Sequence, residues 1–189
     1  MGTMTAYSLN RFSFKLKKII LFAFILPITI PFSLVAVSTF LVISRIGAFN
    51  TRMAGIILSG GVDVYSIYLL LQYLAKIPYS LDESARIDGA SYFRIYWSII
   101  LPQMKPAIAT AAIIKALNIY NDFLTPMLYM PSTKLRTVTI SLSSFQNDQA
   151  SNWTALCAGI VIVLLPTLIM YLFLQKYIIS GAVSGAVKE

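Results

Sequence analysis

Residues 83–106 read ESARIDGASYFRIYWSIILPQMKP. This is a short run of charged and small residues, and its long apolar neighbours decide the fold. Residues 19–43 form 25 positions without a charge. Residues 53–75 carry one charge, Asp63, and residues 106–130 carry Lys115 and Asp122. Residues 153–174 carry none. At ~1.5 Å per helical residue, such runs cross a hydrocarbon core ~30 Å thick. The sequence therefore predicts an all-α integral membrane fold with four transmembrane helices, at 19–43, 53–75, 106–130 and 153–174. Pro27 and Pro31 predict a kink in the first, and Pro166 lies inside the fourth.

Composition agrees. Of 189 residues, 58% are hydrophobic and 12% charged, against roughly 25% charged in a soluble domain. No large soluble domain fits in what remains. The net charge of +8 would suit nucleic acid, but the basic residues sit at the edges of the apolar runs and no nucleic-acid-binding motif accompanies them. They act instead as topology signals. Four spans put the N-terminus, the loop at 78–105 and the C-terminus on one side, with ten Lys and Arg against four on the other. The positive side is cytoplasmic, so both termini are expected there. An odd number of spans would mix the two sets. Arg11 comes late and no A-x-A cleavage pattern follows, so the first span is expected to be retained.

The chain has one cysteine, Cys157, and no histidine. That removes an internal disulfide, most zinc sites and the Ser-His and Cys-His nucleophilic schemes. No catalytic residue, metal site or cofactor is expected, and the chain is read as a non-enzyme.

Within the loop, Pro78 ends the second span. Ser80 and Glu83 have capping-box spacing, which predicts a helix over 81–88. Asp82 and Arg86 stand one turn apart and pair on its surface, and Gly89 stops it. Ser84, Ala85, Gly89 and Ala90 make a surface that another protein can approach closely. Tyr92, Phe93, Tyr96 and Trp97 suit the headgroup level. On physics alone, a docking surface and a plain connector stand about even.

Glu83, Ser84, Ala85, Asp88, Gly89, Ala90, Ile99, Leu101 and Pro102 resemble the EAA loop of permease subunits of ABC importers. That pattern reads E-A-A, three residues, G, nine residues, then I-x-L-P; Ser84 replaces the second Ala. Tyr120, Asn121, Asp122, Phe123 and Pro126 resemble the W-N-x-F…P segment of sugar-type permeases, with Tyr for Trp. Gln175, Lys176, Gly181, Gly185, Ala186, Val187 and Lys188 resemble the C-terminal tail of the maltose-permease-like family. Ala6, Tyr7, Arg11 and Phe12 look like the end of the family's second span and the loop after it. Family members usually have six spans, so this chain is expected to begin after the first two.

The resemblance implies a permease subunit for sugars or oligosaccharides in the plasma membrane. Its implied partners are ABC ATPase subunits, which receive the EAA helix in a cleft, a second permease subunit, an extracytoplasmic solute-binding protein and the lipid bilayer. The alternative is a non-transporting membrane scaffold or accessory protein, or a truncated inactive permease. An intramembrane enzyme lacks its residues here, and the EAA spacing speaks against a secondary transporter.

Ionisable groups inside a membrane are costly and usually face a cavity or a partner. Asn118, Asn121 and Asp122 are the candidate pathway residues for a hydroxyl-rich solute. Against that, Asn121 and Asp122 only cap or bend the helix before Pro126. Lys115 faces a second permease subunit or pairs with Asp63. In the outer loop at 131–152, Val138, Ile140 and Leu142 alternate with Thr137, Thr139 and Ser141, which predicts a short strand or extended lid, or else a plain solvated connection.

Overall fold

The computed structural model describes residues 2–61, 64–143 and 153–186, with backbone alone at 28 and from 173 onward. Asp63, residues 144–152, Val187 and Lys188 lie outside the described residues. The regular structure among the described residues is entirely helical. The chain divides into two compact units, 1–29 with 62–115 and 174–189, and 30–61 with 116–173.

The first unit is built on α1 (Gly2–Arg11) lying against α5 (Val64–Leu74). Ala6, Tyr7 and Leu9 form the buried face of α1, and Ala6 has no exposed surface. Leu70 and Leu74 of α5 meet that face, together with Ile77 beyond the helix end. α2 (Lys17–Thr29) also touches α5. The unit continues through α6 (Ser80–Ile87), α7 (Tyr92–Ile95), a π turn over Tyr96–Ile100, α8 (Leu101–Gln103) and the start of α9 (Lys105–Asn121). The π turn follows from Pro102, which has no N–H and whose ring would strike the carbonyl of residue 98 in an α-helix. The chain widens instead, and the Leu101 N–H donates to Tyr96 O. Ile95, Ile100 and Met104 are thereby fully buried. At Met104 the helix bends by 71° into α9.

The second unit holds α3 (Phe32–Arg45), α4 (Arg52–Ser59), the end of α9, α10 (Leu124–Tyr129), α11 (Val138–Ser143) and most of α12 (Trp153–Ala186). Tyr129, 1% exposed, centres a small core with Ile43, Ala48, Ala54 and Met130. Its hydroxyl donates to Ala36 O at 3.1 Å. Its carbonyl accepts from the N–H of Asn50, which sits at φ 56. Tyr120 donates to Val163 O of α12 at 3.1 Å.

The first apolar run, where Pro27 and Pro31 predict a kink, is divided at Pro31 into α2 and α3. Pro31 cannot donate to the ladder and pushes residue 30 out of the helical region, so α3 starts afresh behind it. Residues 138–143 are helical rather than extended. Thr137 starts that helix: its Oγ1 accepts from Ile140 N, its carbonyl from both the N–H and the hydroxyl of Ser141. Local Thr and Ser bonds outweigh an alternation that has no neighbouring strand, among the described residues, to pair with.

By length and composition, Arg52–Leu74 and Trp153–Leu172 suffice to cross a membrane. Taking Lys17–Pro27 with Phe32–Arg45 and Tyr92–Gln103 with Lys105–Asn121 as one bent span each brings the number to four. Pro166 leaves α12 unbroken. Val161, Ile162, Leu165 and Leu168 are exposed on it, which is how a lipid-facing helix differs from a soluble one.

Candidate functional site

The loop between α5 and α9 is held from inside and open outside. α6 begins at Ser80, one residue earlier than the spacing predicts, with Tyr79 as the flanking residue. The capping box is absent. The Ser80 side chain makes no cap, and the N–H groups of Asp82 and Glu83 donate to Tyr79 O at 3.0 and 3.1 Å. Tyr79 is already helical, at φ −63 and ψ −26, so Ser80 stands inside the first turn rather than before it. Asp82 and Glu83 still favour that turn through its dipole.

The C-terminal end follows the expectation. Gly89 adopts φ +79, where a Cβ would be strained. The Ala90 N–H then reaches Ala85 O at 2.9 Å and the Gly89 N–H reaches Arg86 O at 3.0 Å. This double closure is the Schellman motif, and Gly47 closes α3 in the same way. Ser91 starts α7, accepting from Arg94 N at 3.4 Å.

Of the EAA-like residues, Glu83, Ser84, Asp88, Gly89 and Pro102 are exposed, Ala85 is buried, and Ala90, Ile99 and Leu101 are half-buried against the core. Ile87, beside them, is 87% exposed. The Ser84 hydroxyl donates to Ser80 O. Tyr92, Phe93 and Trp97 are exposed, the last two with stacked rings. Tyr96 departs from the expected aromatic belt. It turns inward, 5% exposed, beside Tyr7 and within 2.7 Å of Thr3 Oγ1.

The expected surface pair Asp82–Arg86 is also absent. Asp82 is buried, and the guanidinium of Arg86 lies over the Tyr92 ring instead. The Asp82 side chain instead meets residues of α1. Tyr7 donates to Asp82 Oδ1 at 3.2 Å, and Arg11 Nε lies 3.1 Å from Oδ2. Neither of that last pair makes an aligned hydrogen bond, so charge holds the contact. Arg11 Nη2 donates to Ile77 O at 2.8 Å, and its guanidinium stands 4.1 Å over the Tyr79 ring. Tyr79 in turn donates to Asn10 O at 2.6 Å. Sequence reasoning missed Tyr7, Arg11 and Asp82 as a group. The available signal was that Asp82 and Ala85, three apart, share the α6 face opposite the charged one.

In the second unit, the candidate pathway residues separate. Asp122 breaks the helix between α9 and α10: its Oδ1 accepts from Thr125 N at 3.1 Å and its carbonyl from Thr139 Oγ1 at 3.3 Å. Asp122 lines a cavity of about 480 Å³ with Arg52, Ile56, Ser59, Ile119 and Thr125. Asn118 and Asn121 are exposed and outside its lining. The Asn121 side chain donates to Leu117 O. Lys115 is half-buried.

The helices define a polytopic all-α membrane protein, and comparison with known proteins narrows the class. Residues 1–180 match the inner membrane component of binding-protein-dependent transport systems, and the chain belongs to that family. It is 35% identical over 191 residues to the probable starch degradation products transport system permease protein of Thermoanaerobacterium thermosulfurigenes, covering all of this chain and 69% of that one. It is 33% identical to the arabinooligosaccharides transport system permease protein of Bacillus subtilis, covering 99% and 66%. The fold is similar, with a TM-score of 0.75 and 23% identity, to a chain in the crystal structure of a bacterial ABC transporter involved in the import of the acidic polysaccharide alginate. That match covers 93% of this chain and 66% of the other. The chain thus spans about two thirds of the relatives it matches, and corresponds to the C-terminal part of the permease fold.

Proposed function

We propose that this chain is a permease subunit of an ATP-driven importer of sugars or oligosaccharides, coupled to its ATPase subunits through the loop at 78–105. The observation that carries the reading is the two-sided α6. Its inner face is anchored in the helical core, while Glu83, Ser84 and Ile87 stand exposed beside the tight turn at Gly89. A short helix held on one face and bare on the other suits insertion into a partner's cleft. The relatives named for starch products and for arabinooligosaccharides support the solute class.

In this reading the spans run over 19–43, 53–75, 106–130 and 153–174, with both termini cytoplasmic. A second permease subunit completes the pathway, an extracytoplasmic binding protein delivers the solute, and ATP hydrolysis falls to the partner subunits. Asn118, Asn121 and Asp122 supply the polar groups of the path, Asp122 at the cavity and the two asparagines exposed outside its lining.

Copurification tests the proposal. In mild detergent the parent chain brings down an ATPase subunit, and the double variant Glu83→Ala/Gly89→Pro inserts into the membrane but does not. Retention of the ATPase and of uptake by the double variant would remove the docking role. A parent chain that brings down no ATPase favours the scaffold alternative.

A further inference from the structure

We propose that Arg11, with Tyr7 and Asp82, is a positioning clamp that grips the root of α6 and passes its displacement to α1 and α5. The inference rests on the coupling role proposed above and adds the residues that make the loop a lever.

α6 cannot hold itself in place by packing. Of its eight residues only Asp82 and Ala85 are buried, and Ala85 offers a single methyl group. The remaining inward contact is a carboxylate, which is costly to bury unless it is met. Both of its oxygens are met from α1, by Tyr7 and Arg11. Arg11 also reaches Ile77 O and covers Tyr79, and Tyr79 returns a hydrogen bond to Asn10 O. Every one of these contacts joins the end of α1 to residues 77–82, the root of α6. The described side-chain contacts of the clamp leave the outer face of 83–89 untouched.

The charges hold this grip in place. Ala85 is the one buried apolar side chain of α6, so packing alone gives it little hold. With Arg11 donating to Ile77 O and facing the Asp82 charge, and Tyr7 donating to the same carboxylate, a slip of α6 separates two buried charges. α1 in turn lies along α5 through Ala6, Leu70 and Leu74. A push on the outer face of α6 is therefore carried to α1 and α5 rather than absorbed within the loop.

The test uses the full chain assembled with its partner subunits in proteoliposomes. Spin labels on Met4→Cys and Leu81→Cys, both exposed positions outside the docking face, in a Cys157→Ser background, report the distance between α1 and α6. Arg11→Gln and Asp82→Asn are each expected to broaden that distance distribution. The same variants should retain the ATPase on copurification, since the outer face is unchanged, but lose at least about tenfold in solute uptake per ATP hydrolysed. A merely structural role would lower the yield of the complex and leave that ratio alone. A parental distance distribution and a parental ratio in both variants would overturn the clamp. Should the parent chain bind no ATPase, the coupling role fails separately, and the distance alone decides: broadening supports the clamp and an unchanged width rejects it. Tyr7→Phe keeps both charges and serves where Arg11→Gln is not recovered; it is judged by the same broadening.

Discussion

Asp82 and Asp122 are the same residue in two regions and are used in opposite ways. Asp82 is met by side chains far away in sequence, Tyr7 and Arg11. Asp122 is met by its own neighbourhood, the Thr125 N–H three residues on. The first carboxylate fixes where one helix lies against another. The second marks where a helix breaks, and presents its remaining surface to a cavity. A long-range carboxylate is a positional device, whereas a local one is a cap that other short polar residues replace.

The contrast can be broken by substitution. Arg11→Met leaves the Asp82 charge buried with one partner lost and should destabilise the solubilised chain by about 3–5 kcal/mol in denaturant unfolding. Arg11→Met with Asp82→Leu should recover most of that loss. A single-variant effect below about 1 kcal/mol would erase the distinction between the two sites. Tyr7→Phe removes one hydrogen bond to a charged group, for about 2 kcal/mol in the same measurement. Gly89→Ala forces a Cβ into the left-handed region and should cost about 1 kcal/mol, read as loss of hydrogen-exchange protection at Ala90 N–H. Asp122→Asn keeps an acceptor for Thr125 and should change stability by less than about 0.5 kcal/mol. A loss as large as that of Arg11→Met would show that Asp122 is more than a cap.

The features legible in the sequence are those governed by single residues. Apolar runs marked the all-helical membrane class, Gly89 marked the end of α6, and the spaced loop pattern marked the family. What was hidden depended on partners distant in the chain. Helical spacing offers Arg86 to Asp82 at one turn, and nothing local announces that Arg11 competes for it and wins. Arg11 wins because α1 brings it to the buried face, where removing water strengthens the ionic contact. Tyr96 followed the same logic, since its neighbours in sequence are exposed aromatics but the widened turn before Pro102 points it into the core. Ser80 shows the opposite failure. A capping box reads only types and spacing, and Tyr79 entering the helix first moved Ser80 past the position where its hydroxyl caps. At residues 138–143 the period-2 pattern was real, but Thr137 satisfied the local backbone as a helix start.

The central claim is that the outer face of α6 meets an ATPase subunit. Cysteine-directed crosslinking in native membranes tests it most directly. Ser84→Cys in a Cys157→Ser background replaces an exposed residue whose hydroxyl donates to Ser80 O. It should give a crosslinked species with an ATPase subunit whose yield changes when ATP is bound. The control Tyr68→Cys, exposed on α5 within an apolar span, should give none. Equal crosslinking from both positions, or no ATPase adduct from Ser84→Cys, would contradict the account.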